Sequence, residues 1–159
     1  MPNLINTQSI LDESWQDCQE LEKIACDGDI IVAIDQVEYL DFEGHNGRVA
    51  VTVPNDEDIV ELYPSINKAD VIRLQFPAFA DGRAYSQARL LRDRLGFEGD
   101  IRATGDVLRD QLFQMHRCGF SSFELREDQN AELALTDFSR FDVLYQPAAD
   151  ESLPLFKRR

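Results

Sequence analysis

The chain reads as an α/β protein with a mostly parallel sheet, and three observations carry that reading. Short β-branched runs recur at residues 29–34, 49–53, 71–76, 100–104 and 122–126. Segments with helical spacing of apolar residues lie between most of them. Two of those segments end alike, as Arg94-Leu95-Gly96-Phe97 and Arg117-Cys118-Gly119-Phe120, each just before a strand. This is either the ordinary helix–Gly–strand joint, in which Gly avoids the steric cost of positive φ, or a duplicated unit; the ordinary joint is preferred. Strand–helix alternation implies right-handed crossovers and parallel pairing. The expectation is about four to five βα units, as a partial β/α (TIM-like) barrel or an open doubly wound sheet, behind a small N-terminal strand-containing segment. A partial barrel leaves a sheet edge that favours dimerisation or a covering N-terminal segment.

At 159 residues the chain fits one domain, with an N-terminal arm over 1–28, a βα core over 29–146 and an irregular tail over 147–159. In the arm, Ile5 and Ile10-Leu11 suit a short strand pair anchored by Trp15, and residues 17–23 favour no one element. Val37, Leu40 and Phe42 suit a short helix, and residues 44–47 a turn. After the 49–53 strand, Asp56 is placed to cap a helix carrying Ile59, Val60, Leu62 and Tyr63, which Pro64 interrupts or ends. A helix over 83–95 puts Ala84, Ala88, Leu91 and Leu95 near one face. Asp106 is placed to cap the next, with Leu108, Leu112, Met115 and Cys118 on one stripe, and residues 129–138 read as helical. The closing Phe156-Lys157-Arg158-Arg159 is basic on an acidic chain: a frayed terminus or a docking tail.

Thirty acidic against 16 basic side chains give a formal charge of −14. Nucleic acid and anionic lipid are therefore poor partners, and an anionic ligand needs a local arginine cluster. The concentrated run of arginine lies between Arg83 and Arg117. An odd count of three cysteines without framework spacing indicates a reducing compartment. With no leader-like opening and no spanning apolar run, a cytoplasmic protein is expected.

In a parallel sheet, ligands bind where the strands end. The loop Asp81-Gly82-Arg83-Ala84-Tyr85-Ser86 opens a helix, where free N–H groups and Arg83 suit sulfite, sulfate or phosphate. Asp81 opposes an anion there and equally serves as a cap. In the next loop Asp106 and Arg109 either join this site or have structural roles, Asp106 as an N-cap and Arg109 with Asp110 in an ion-pair network facing Arg102 or Arg83. The candidate anion site is thus Arg83, Tyr85, Arg102, Asp106 and Arg109, with no catalytic residue assigned. His116 and Cys118, two apart on a helix, point roughly 200° apart and cannot readily share one ion. His45 stands alone in a turn. No zinc, iron–sulfur, flavin or nicotinamide motif is present, so no cofactor and no metal are expected.

The strings FPAFADGRAYSQARLLRDRLGFEGDIRATGDVLRDQLFQMHRCGF and YQPAADESLPLFKRR resemble the bacterial family called domain of unknown function 934, strongly from Asp70 onward. Members often carry the label "oxidoreductase probably involved in sulfite reduction", which implies a pathway rather than a reaction. The resemblance implies an accessory protein of assimilatory sulfate/sulfite reduction that binds sulfite reductase or its electron donor. The alternative is a small oxyanion-binding enzyme or sensor built on the Arg83 and Arg109 loops.

Overall fold

The computed structural model describes residues 3–18 and 27–158. Most of the ambiguous 17–23 segment, together with Cys26 and Arg159, lies outside the described residues.

One seven-stranded sheet organises the chain: β1 (Asn3–Asn6), β2 (Gln16–Asp17), β3 (Ile30–Ala33), β4 (Val49–Val53), β5 (Val71–Phe76), β6 (Asp100–Gly105) and β7 (Ser122–Leu125). The order is β1-β7-β6-β5-β4-β3-β2. Neighbours from β2 to β7 run parallel, and β1 is antiparallel on β7. Each strand from β3 onward adds on the same side of the last, so right-handed crossovers put the connecting helices on one face. A doubly wound sheet needs a reversal of strand order. None occurs here, and that alternative is corrected to a curled half-barrel.

Chain length explains the curl. Leu11 is tied to β1 through the Leu4 carbonyl at 2.8 Å, yet Gln16 already belongs to β2 at the far edge. Five residues reach at most about 18 Å, whereas six flat strand spacings need about 29 Å. The edges must draw together, and residues 11–15 cross the concave side as a strap. The N-terminal arm also covers the β7 edge with β1, and Ile5 bridges Ile10 as the sequence suggested.

The core lies between the convex face and the helices α1 (Ile59–Ile66), α2 (Arg83–Asp93), α3 (Leu112–Cys118) and α4 (Ala131–Asp137). Alternation along each strand sorts the residues: Ile72, Leu74 and Phe76 of β5 and Ile101 and Ala103 of β6 are buried in it. A 3-10 helix over Ile34–Tyr39 carries buried Val37. Gly96 and Gly119 stop α2 and α3 at φ +68° and +112°, as their sequence position implies.

Three helix details differ from the sequence reading. Asp58, not Asp56, caps α1, accepting from the Val60 and Glu61 amides, because it directly precedes the buried Ile59. Pro64 stays inside α1, which runs on to the buried Ile66 before stopping. Asp106 caps nothing: a 3-10 turn (Arg109–Gln111) follows β6, and α3 begins only at Leu112, behind Gln111. Beyond α4 the chain is an arm with a single 3-10 turn (Leu155–Lys157), pinned to the end of α3 by Ala149 N–H to the Arg117 carbonyl and by Arg117–Asp150. No helix among the described residues is long and apolar enough to cross a membrane.

Candidate binding site on the concave face

The same alternation that buries Ile72 and Leu74 turns Arg73 inward to the concave face, and likewise Arg102 of β6. The register makes them direct cross-strand partners. Two adjacent guanidiniums repel, so each needs its own compensation. Arg73 donates a fork of hydrogen bonds to Glu124 on β7, from Nε at 3.1 Å and Nη2 at 3.0 and 2.8 Å, and its Nη1 reaches Thr52 Oγ1 at 2.9 Å. Arg102 is only 1% exposed. It donates from Nε to Ser122 Oγ at 2.9 Å and from Nη2 to Glu13 at 2.8 Å and Asp100 at 3.0 Å. Among the described residues its Nη1 has no hydrogen-bond partner.

Glu13 belongs to the strap and fastens it. Its carboxylate accepts from Arg102, from Arg48 Nη1 at 2.7 Å and from the Trp15 indole N–H at 3.0 Å. Burial acts to raise its pKa, but the hydrogen bonds from Arg48, Trp15 and Arg102 outweigh it and leave the group below the usual carboxylate range. The Trp15 ring lies against both cations, with the Cζ of Arg48 at 4.6 Å and that of Arg102 at 5.4 Å from its centroid.

Strap and sheet enclose a cavity of about 350 Å³. Its polar floor is Arg73, Arg102 and Glu124. Leu4, Leu11, Trp15 and Ile31 supply apolar wall, and Asp12, Glu13 and Ser14 close the strap side.

The five residues singled out from the sequence are distributed differently. Arg83, Tyr85, Asp106 and Arg109 follow the C-terminal ends of β5 and β6, so their loops do share a rim. Within it, Arg83 is exposed and pairs with Asp81 at 2.7 Å, which holds the Asp81 carboxyl well below its usual range. Tyr85 packs edge-on against Phe76 and Phe120, and burial, ahead of the nearby Cys118 and Asp110, pushes its phenol up to about 12. Asp106 accepts from the Phe79 amide at 2.8 Å and from Arg126 at 2.7 Å. Arg109 turns away to Asp137 at 2.9 Å on α4. Arg102 is not on this rim; it lies inside the half-barrel with Arg73. Arg73, Glu124, Glu13 and Trp15 escaped the sequence reading as site residues. The available signal was the period-two placement of Arg73 in β5 and Arg102 in β6, one register row apart.

No group of three or more His, Cys, Asp and Glu gathers to hold a metal ion among the described residues. The His116 imidazole faces the Phe120 carbonyl and Phe138, and the Cys118 thiol, raised chiefly by burial, takes a hydrogen bond from Gln114.

A family model described as "Bacterial protein of unknown function (DUF934)" matches residues 50–156, well over half of the chain. The chain belongs to the DUF934 family. The match takes in β5, β6 and β7, and with them Arg73, Arg102 and Glu124; the strap precedes it. No curated protein and no solved structure matches the chain.

Proposed function

We propose that the protein is a ligand-binding accessory protein of assimilatory sulfate/sulfite reduction, acting as a partner of sulfite reductase or its electron donor, with its ligand held on the concave face. The observation that carries the binding role is Arg102: a buried guanidinium in the wall of the cavity under the strap, with one nitrogen uncommitted. A buried donor without an acceptor costs roughly 1–3 kcal/mol, and a ligand acceptor would recover that cost. The pathway rests on the family resemblance in the 70–120 segment and the C-terminal string.

The rim reading, with Arg83 and Arg109 clamping an oxyanion, is the weaker alternative. Both guanidiniums already serve carboxylates, Asp81 and Asp137, that an anion would have to displace. Calorimetric titration separates the two: Arg83→Ala abolishes sulfite or phosphate binding on the rim reading and leaves concave-face binding intact.

A partner-docking role has its own support in the arm beyond α4, where Phe141, Val143, Tyr145 and Phe156 are all more than half exposed. Purified protein mixed with sulfite reductase co-elutes at micromolar concentration on this reading. Clean separation counts against it, and elution at twice the chain mass would assign the arm to a second copy.

A further inference from the structure

The size, walls and charge of the concave cavity narrow its ligand, given the binding role proposed for this face. A volume of about 350 Å³ equals roughly a dozen waters at about 30 Å³ each and falls in the range of small-molecule sites. An inorganic oxyanion would leave most of it empty. The walls are aliphatic at Leu4, Leu11 and Ile31, and aromatic at Trp15.

Electrostatics oppose a multiply charged ligand. The concave cluster holds three guanidiniums, Arg48, Arg73 and Arg102, and these are matched by Glu13, Asp29, Asp100 and Glu124. Asp12 adds a further carboxylate at the cavity. The local sum is already negative, so a dianion gains little Coulomb attraction there. What remains unsatisfied is a donor, Arg102 Nη1, itself buried behind the cavity wall and the Trp15 ring, so a ligand reaches it as the Trp15 strap shifts.

We infer that the site takes a flat, largely apolar organic molecule bearing one acceptor group, a single carboxylate or a carbonyl. The acceptor meets Arg102 Nη1, and the body lies between Ile31 and the Trp15 ring under the strap. Trp15 is the single tryptophan of the chain, so its fluorescence reports occupancy directly in the unaltered protein.

The test titrates the full chain with 2-naphthoate, 2-naphthamide, acetate and sulfate, following Trp15 emission and heat. The inference expects 2-naphthoate or 2-naphthamide to bind at least about tenfold tighter than acetate or sulfate, with a change in Trp15 emission. Trp15→Leu, which leaves the convex core untouched, should weaken the aryl probe about tenfold by calorimetry. If sulfate or acetate binds as well as the aryl probes and moves Trp15, the binding role stands and the ligand class is wrong. If an aryl probe binds without altering Trp15 emission, or equally to Trp15→Leu, the ligand class is likewise overturned. Silence from every probe up to about 10 mM, a binding energy under about 3 kcal/mol, overturns both the ligand class and the concave-face role.

Discussion

Arg73 and Arg102 occupy the same register row of the parallel pair β5/β6, and their charges are answered by different carboxylates. Arg73 reaches across β6 to Glu124 on β7. Arg102 stays with Asp100 on its own strand and with Glu13 of the strap. Removing either set of carboxylates leaves one guanidinium uncompensated beside the other in a partly dry interior. Glu124→Gln should therefore lower stability by about 2 kcal/mol in urea denaturation. The double change Arg73→Met with Glu124→Leu, which removes charge and counter-charge together, should recover most of that loss. A single variant that unfolds no earlier than wild type would show the pair needs no compensation.

Glu13 gives the strap a pH dependence. Its folded pKa is depressed, so its contribution is fully present above the ordinary Glu value of about 4.3. That contribution is lost as pH falls through the lower folded value. Trp15 emission should hold steady from neutral pH down to that window and change below it. Glu13→Gln should show the altered emission already at neutral pH. An acid transition of Trp15 identical in wild type and Glu13→Gln would remove Glu13 from this role.

The two left-handed glycines offer a matched comparison. A Cβ at Gly96 (φ +68°) meets nothing within 4 Å, whereas at Gly119 (φ +112°) it runs into the Arg92 side chain. Gly96→Ala should cost about 1 kcal/mol, the conformational term alone. Gly119→Ala should cost more, since Arg92 donates to the carbonyls of Phe97, Gly99 and Gly119. Thermal denaturation of both variants ranks them; the reverse order would contradict the packing described around α2.

Arg92 itself fastens both Gly stops. It is half-buried, and burial lowers its pKa from the usual value. Arg92→Met keeps the stem and removes the donors. A loss of about 2–3 kcal/mol is expected, because three carbonyls lose their charged partner. A loss under about 0.5 kcal/mol would mean water replaces it freely.

Most of the sheet was legible because its signal is local. Ile30, Val49, Val71, Ile101 and Phe123 sit in runs that can bury one face only as strands, and Gly96 and Gly119 mark the helix stops. The sheet's curl was open in the sequence because it depends on where β2 pairs, and Gln16-Asp17 carries no β-branched or apolar mark. Asp106 looked like a cap because the competing donor, Arg126, lies a whole strand away. The site was half legible. Arg102 was picked out for its place in an arginine-rich stretch, but its direction is set by alternation within β6 and its lid by Trp15, about ninety residues earlier.

The central claim is that ligand meets Arg102 inside the half-barrel. Arginine side-chain NMR of ¹⁵N-labelled protein, titrated with 2-naphthoate, tests it most directly. The account predicts shifts confined to the guanidinium signals of Arg102 and its neighbours Arg73 and Arg48. Shifts at Arg83 and Arg109 with Arg102 unmoved would place the ligand on the strand-end rim and contradict it.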